Sequence, residues 1–243
     1  MNNIDFIIND REPVSLEEVF LSEDSRKEIQ QLIKEHSYIA ELTEYGLEVN
    51  HKIMLQGASG CGKTMTAKAV ATALGKNILI LNLGNIVSSR IGETSQNIKR
   101  VFDRAGREKA VLFLDEFDQI GKARGSDETD VGEMRRLVNT VIQLIDYLPN
   151  KTMLICATNH PEIIDHALMR RFQVRINYTM PDRATLDTYY DTLLSRFPQQ
   201  LHTIQRKYDI SFAEAKDTCL TQVKTLLIQQ LDEQRSLRST DEN

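Results

Sequence analysis

The chain has 243 residues, a formal net charge of -5, and a composition that is 41% hydrophobic and 27% charged. This length allows one large domain or a core with a smaller subdomain, and the composition is typical of a globular protein with a sizeable core. The acidic balance does not favour nucleic acid as a partner, and we expect neither a membrane span nor a signal peptide. Three widely separated cysteines without a C-x-x-C pair indicate reduced thiols in a cytoplasmic protein, with no disulfide framework and no zinc site.

The first part of the chain is predicted to be an extended arm followed by a long helix. Residues 1–13 mix polar and apolar residues without a clear period. From Glu23 to about Tyr45, apolar residues recur at helical spacing, which predicts one continuous helix. Gly46 is a plausible end for that helix because glycine is favoured just beyond a helix C-terminus.

The stretch Gly57–Thr64 matches the phosphate-binding pattern G-x-x-x-x-G-K-S/T without a gap. A short apolar segment, 52–56, precedes it, and a run of good helix formers, 65–74, follows it, so the context is strand, loop and helix. Such a loop turns backbone N–H groups towards an anion, Lys63 contacts the β- and γ-phosphates, and Thr64 can ligate Mg²⁺. The sequence therefore predicts a nucleotide site, with Ser59, Gly60, Cys61, Gly62, Lys63, Thr64 and Met65 in contact with the nucleotide.

Strands and helices alternate in the next part of the chain. Strands are predicted over 77–83, 110–114, 151–157 and 172–176, and helices over 97–105, 132–148 and near 161–168. Between them, 88–95 is predicted to be a loop and 121–132 a mobile segment rich in glycine and charge. Alternation of this kind predicts an α/β fold with a doubly wound parallel sheet, whose ligands bind beyond the carboxyl ends of the strands.

Polar residues follow two of these strands. Asp115 and Glu116 end the apolar run 111–114, as in a Walker B motif, so Asp115 is expected to hold Mg²⁺ and Glu116 to polarise the attacking water. Asn159 follows the next strand and can donate an amide hydrogen bond to that water or to the γ-phosphate. Asp118, by contrast, is more simply interpreted as a solvated surface residue.

Two adjacent arginines, Arg170 and Arg171, follow the short helix that comes after Asn159. An additional guanidinium would stabilise the γ-phosphate charge, and side chains so far along the chain could serve the site of a neighbouring subunit. The alternative is an ordinary surface ion pair.

The chain becomes wholly helical from residue 181 onwards. Helices are predicted over 186–197, near 200–207 and over 212–231, the last with a capping box from Ser211 to Glu214, while 232–243 is polar and expected to fray. We therefore expect an α/β nucleotide-binding core over 1–180 and a small helical lid over 181–243.

These motifs together resemble the AAA clade of the AAA+ ATPases, including katanin- and spastin-like and bacterial members. The residues that carry the resemblance are Gly57–Thr64, Arg90–Thr94, Asp115–Asp118, Ala157–Glu162 and Ile164–Phe172. The resemblance implies an Mg-ATP-dependent motor with a helical lid, which we expect to form a hexameric ring promoted by ATP. It assigns Asn159 the sensor-1 role, and Arg170 and Arg171 the role of arginine fingers in trans.

The resemblance also implies contacts between subunits, with adenine and with a substrate. Asp146 matches the position that reports nucleotide state to the neighbouring subunit, and Val19, Phe20 and Ala213 lie where relatives contact adenine. Arg90, Ile91 and Gly92 match the first pore loop. Relatives usually have an aromatic residue at the position of Arg90; a guanidinium there suits acidic segments or phosphate better than an apolar grip.

Three hypotheses for function follow. The favoured one is an ATP-hydrolysing ring that remodels or activates a separate protein partner, recruited by another protein because little precedes the ATPase body. The second is a nucleotide-dependent assembly switch in a multi-protein defence or signalling system. The third is a helper ATPase for nucleic acid, suggested by basic residues over 90–109, although interleaved acidic residues there are more typical of a solvated helix face.

Overall fold

The computed structural model describes residues 7–8, 12–84, 91–122 and 128–241. In this part of the chain a six-stranded sheet has the order β1-β3-β4-β5-β2-β6. The strands are β1 (Ile7–Ile8), β2 (Lys52–Gly57), β3 (Ile78–Asn82), β4 (Val111–Asp115), β5 (Met153–Thr158) and β6 (Val174–Tyr178). Strands β2 to β6 pair in parallel, and β1 alone among the described strands runs antiparallel, against β3. The predicted parallel α/β fold is confirmed.

Helices flank this sheet and make up the C-terminal part of the chain. They are α1 (Glu23–Ser37), α2 (Ile39–Glu44), α3 (Lys63–Ala73), α4 (Ile91–Glu108), α5 (Gln119–Lys122), α6 (Glu128–Asp146), α7 (His166–Met169), α8 (Arg183–Leu194) and α9 (Phe212–Asp241). No helix in the described part of the chain combines the length and apolar character needed to cross a bilayer.

The core lies on both faces of the sheet, which explains the continuous apolar runs in the strands. The first four residues of β4 and all six residues of β5 are buried, as expected of strands covered on both faces. Helices α4 and α6 pack their apolar faces against this layer through residues that include Ile98, Val101 and Val141. The sheet thereby fixes the carboxyl ends of β2, β4 and β5 along one edge.

The first long helix differs from its prediction. The structure divides it into α1 and α2 at Tyr38, whose φ of -105° and ψ of 25° depart from helical values. Helix α2 buries none of its side chains, so packing does not hold it in line with α1. Gly46 ends α2 as predicted: its φ is 71°, and its N–H donates to Thr43 O at 3.0 Å.

Helix α4 begins earlier than predicted. The loop predicted over 88–95 is wrong for residues 91–95, which form the first turns of α4; residues 88–90 lie outside the described residues. Thr94 lies one turn before Ile98 on the same face and is fully buried, so tertiary packing extends the helix beyond its apolar stripe. The predicted mobile segment is partly helical too, because α6 begins at Glu128; residues 123–127 lie outside the described residues.

The chain divides into two compact units. One comprises Met1–Gly57 with Lys63–Tyr178, and the other comprises Ala58–Gly62 with Thr179–Asn243. The second unit has its own core, in which Leu186, Tyr190, Leu201, Cys219 and Val223 are buried.

Two predictions in the second unit need correction. Only Gln199–Leu201 of the predicted 200–207 helix is helical, as a single 3₁₀ turn. The following residues are not helical and are held by side-chain hydrogen bonds instead: Arg206 bonds Asp187 and Asp191, and the Tyr190 hydroxyl donates to Lys207 O at 2.9 Å. Residues 232–241, expected to fray, continue α9, which begins with the predicted capping box between Ser211 and Glu214.

Candidate functional site

The loop between β2 and α3 has the backbone of an anion-binding turn. Strand β2 ends at Gly57 and α3 begins at Lys63, so the N–H groups at the helix N-terminus lie at the end of the loop. Gly57 has a φ of 137°, and a Cβ there would lie 2.0 Å from the backbone oxygen of Tyr178 on the paired strand β6. Only glycine therefore fits where the loop leaves the sheet.

Gly60 lies at a second close approach, inside the second unit. Its carbonyl oxygen accepts a hydrogen bond from Ala213 N at 3.2 Å, at the beginning of α9. A Cβ on Gly60 would lie 2.6 Å from Ser211 Oγ and 3.0 Å from Ala213 Cβ. The predicted adenine contact Ala213 is thus a direct neighbour of the predicted phosphate loop.

Lys63 is largely buried, with 7% exposure, and its ammonium group is held at the end of the sheet. Lys63 Nζ donates to Gly57 O and to Asn159 Oδ1, each at 2.7 Å. The register of β2 with β5 brings these residues together, because Gln56 pairs with Thr158. Lys63 and Asn159, predicted from separate motifs, are therefore in direct contact.

Asp115 and Thr64 form the oxygen-rich part of the same edge. Burial raises the pKa of the Asp115 carboxyl, an effect opposed by the Glu116 backbone N–H, by the Lys63 charge and by the Thr64 hydroxyl. A carboxylate beside a hydroxyl suits Mg²⁺, which prefers oxygen ligands and keeps waters or phosphate oxygens in its other positions. No group of three or more metal-binding side chains occurs among the described residues, so a closed protein cage is not present there.

Glu116 has a left-handed backbone, with a φ of 53°, which is uncommon for a residue other than glycine. This conformation follows the end of β4 and turns the carboxylate towards the end of β3. Glu116 Oε2 lies 2.2 Å from where a Cβ on Gly84 would be, so a larger residue at position 84 would displace the carboxylate from this position. Strained residues of this kind cluster at functional sites.

Asp118 is not the solvated surface residue that its polar surroundings suggested. It is only 2% exposed, and its Oδ1 accepts a hydrogen bond of 3.0 Å from the Thr158 hydroxyl. Its neighbour Phe117 is buried as well and packs edge-to-face on Phe172, with ring centroids 5.6 Å apart. The segment after Asp115 is therefore part of the core rather than of the surface.

The two arginines differ in their surroundings. Arg171 makes a two-pronged ion pair with Asp146, with Nε and Nη2 each 3.2 Å from a carboxylate oxygen, and its Nη1 donates to Ala167 O at 2.6 Å. Arg170 is exposed. Asp146, predicted to lie between subunits, is thus bonded to a predicted arginine finger of the same chain.

The other predicted residues are placed as follows. Cys61 is buried, with its Sγ 3.7 Å from Met180 Sδ, while Ser59 and Met65 are exposed. Val19 is buried, its carbonyl accepting from Arg26 at 2.8 Å, and Phe20 is half-buried. Ile91 and Gly92 lie in the first turn of α4, whereas Arg90 lies outside the described residues.

Sequence reasoning missed several residues at this edge of the sheet. Gly84, Asp118 and Thr158 all contact predicted site residues or their direct neighbours. For Thr158 a signal existed, since it is a polar residue that directly precedes Asn159 at the end of a wholly apolar run. For Gly84 no such signal existed in the sequence, because a glycine is common in the turn after a strand.

Comparisons with known proteins fit this site. A model of the ATPase family associated with various cellular activities (AAA) matches residues 53–180, just over half of the chain. The "Uncharacterized AAA family ATPase y4kL" of Sinorhizobium fredii is 32% identical over 201 residues, which cover 82% of this chain and 61% of that protein. "Protein SAV" of Sulfolobus acidocaldarius is 40% identical over 147 residues, which cover 58% of this chain and 19% of that protein. The chain thus spans less than two thirds of either relative.

Proposed function

Since the chain belongs to the AAA family of ATPases, we propose that it hydrolyses ATP as a ring and uses the cycle to remodel or activate a protein partner. In this proposal residues 1–180 form the nucleotide-binding core and 181–243 the helical lid. The observation that carries the proposal is the contact of Lys63 Nζ with Asn159 Oδ1 at the carboxyl ends of β2 and β5, beside Asp115 and Thr64.

Binding would exchange one set of contacts for another. The Lys63 ammonium donates to neutral oxygens of Gly57 and Asn159. Phosphate oxygens carry negative charge and form stronger hydrogen bonds with an ammonium than neutral oxygens do. The β- and γ-phosphates would therefore replace these oxygens as hydrogen-bond acceptors of Lys63, while the loop N–H groups 59–64 bind the remaining phosphate oxygens.

Hydrolysis would depend on Glu116 and Asn159. Glu116 accepts a proton from a water molecule as the water oxygen bonds to the γ-phosphorus, and the bond from that phosphorus to the bridging oxygen of ADP breaks. The Asn159 amide N–H donates to the water or to the γ-phosphate and orients the attack. Thr64 and Asp115 would hold Mg²⁺, which neutralises phosphate charge when bound.

Ring formation would place exposed groups of one subunit at the site of the next. Arg170 is exposed, and so is Tyr147 at the end of α6, with 87% of its surface accessible. Arginine and tyrosine are both enriched at protein–protein interfaces. We expect Arg170 and Arg171 to act in trans, most simply in a hexamer, with the substrate-facing loop formed by 90–92.

The test is ATP turnover by the wild-type and Glu116→Gln chains, with mass measured in solution with and without ATP. We expect wild-type turnover, an ATP-dependent increase in mass, and a Glu116→Gln variant that binds ATP normally but turns over at least about 100-fold more slowly. Equal turnover in both chains would refute the role of Glu116. A monomeric mass both with and without ATP would refute the ring.

A second candidate is a nucleotide-dependent assembly switch, and the Arg171–Asp146 ion pair favours it. A guanidinium held by its own chain must be released before it can reach a neighbour, so the isolated subunit would be inactive. Tight ATP binding without turnover, until a partner is added, would support the switch over the motor.

A further inference from the structure

We infer that Asp118 positions the sensor residue Asn159 through the hydroxyl of Thr158. The inference rests on the proposed function for its effect on turnover, and on the geometry alone for the positioning. In this proposal Asp118 acts on the turn that holds Asn159.

The geometry is a short relay of hydrogen bonds around Asn159. The Thr158 hydroxyl donates to Asp118 Oδ1 at 3.0 Å, and the backbone N–H of His160 donates to Thr158 Oγ1 at 2.9 Å. Thr158 thus fixes the residue after Asn159 by its side chain, while its own backbone belongs to β5. Asn159 is held between two anchored neighbours, although its side chain is exposed.

The direction of these bonds assigns each group one role. Because the Thr158 oxygen accepts from His160, its proton is free to point to Asp118, and the Asp118 oxygen can only accept. The relay therefore needs an acceptor at 118 and a hydroxyl at 158. It does not need the negative charge itself.

A second tie holds the two segments in register. Phe117 N donates to Ala157 O at 2.8 Å, one residue before the Asp118–Thr158 contact in each segment. The backbone bond from Phe117 to Ala157 and the side-chain bond from Thr158 to Asp118 thus hold the residues after β4 against the end of β5. Both Asp118 and Thr158 are at most 2% exposed, so their bonds exclude water.

Turnover should depend on the position of the Asn159 side chain. Its Oδ1 accepts from Lys63, so its amide N–H groups remain available to donate to the γ-phosphate or to the attacking water. Without the hydrogen bonds of Thr158, the turn would no longer fix the position of this amide, and a misplacement of about 1 Å can lower the rate on the order of 100-fold. ATP affinity depends on the phosphate loop and should change little. The relay is expected to act on kcat rather than on binding.

The experiment uses the full chain and four substitutions. Thr158→Val is isosteric but lacks the hydroxyl, and Thr158→Ser keeps it; Asp118→Ala removes the acceptor, and Asp118→Asn keeps one. We expect Thr158→Val and Asp118→Ala to lower kcat by about 10- to 100-fold, with ATP affinity within about threefold of wild type. The Ser and Asn variants should retain most of the turnover, and if Asp118→Ala does not fold, the Thr158 pair carries the test.

A comparison in the Asn159→Ala background separates positioning from a general structural role. If Thr158 acts through Asn159, then Thr158→Val should cost less than about twofold once Asn159 is removed. An unchanged kcat in folded Thr158→Val, or an equal loss in both backgrounds, would overturn the inference.

A readout without turnover distinguishes failure of this inference from failure of the proposed function. Hydrogen exchange of the His160 amide, followed by NMR, reports the bond to Thr158 directly. We expect exchange at least about tenfold faster in Thr158→Val than in wild type or Thr158→Ser. Unaltered exchange would overturn the inference even in an active enzyme, whereas faster exchange in a chain that hydrolyses no ATP would refute only the proposed function.

Discussion

Replacing Gly57 by alanine tests whether the phosphate loop depends on a close approach between two backbones. The added Cβ would lie 2.0 Å from Tyr178 O and 2.8 Å from Tyr178 C, far inside van der Waals contact. These are backbone atoms of a strand paired with β2, so no side chain can move aside. Either β6 shifts or the loop does.

Gly75 provides the matched control. It also has a positive φ, 61°, but a Cβ there meets nothing within 4 Å. Gly75→Ala should therefore show the backbone strain alone, about 1–2 kcal/mol. Gly57→Ala adds displacement of the β6 backbone and of its hydrogen bonds, so we expect about 3–5 kcal/mol.

Denaturant unfolding of both variants measures this difference. At about 2–4 °C per kcal/mol for a chain of this size, thermal unfolding of Gly75→Ala should show a Tm lower by about 2–8 °C, and of Gly57→Ala by about 6–20 °C. We expect Gly75→Ala to keep its ATP affinity and Gly57→Ala to lose it. Equal destabilisation by the two substitutions would show that backbone conformation, and not the approach to Tyr178, requires glycine at position 57.

Three further predictions concern charge. Lys63→Ala should weaken ATP binding at least about 100-fold, since its ammonium is the buried cation of the site, and affinity within tenfold of wild type by titration would contradict the assignment. Arg171→Ala removes the ion pair to Asp146; if Arg171 also acts in trans, mixing this variant with Lys63→Ala should restore part of the ATP turnover, and no rescue at any ratio would count against shared sites. Burial and the adjacent Lys76 charge lower the pKa of His36 to about 4, so the unfolded chain takes up that proton more readily and stability should fall as pH drops from about 6.5 to 4. We expect a loss of about 1–2 kcal/mol there, reduced from the full shift by solvent screening, and a flatter pH profile in His36→Gln; an unchanged profile in that variant would refute this origin.

The main features of the site could be predicted from the sequence because they are local. Gly57–Thr64 has a fixed spacing, and Asp115 and Asn159 directly follow apolar runs, so the topology of a parallel sheet alone brings them to one edge. The structure then places Lys63 in contact with Asn159, as that topology implies.

What could not be predicted depends on contacts between distant segments. Asp118 and Thr94 are polar yet buried, because partners from β5 and the core surround them; their own neighbours in the sequence give no sign of this. Residues 202–207 have helical spacing but form no helix, and Arg206 within them bonds two aspartates of α8 instead. Tertiary contacts override local pattern in each case.

In the proposed mechanism, the left-handed backbone of Glu116 sets stability against ATP turnover at a single position. A glycine would adopt the same φ without strain, so Glu116→Gly should gain up to about 1–2 kcal/mol while losing the carboxylate. Selection for folding alone would favour that exchange. A stabilised form of this protein obtained by screening for thermal resistance would therefore tend to lose its turnover at residue 116 first, and such screens should be paired with a measurement of ATP hydrolysis.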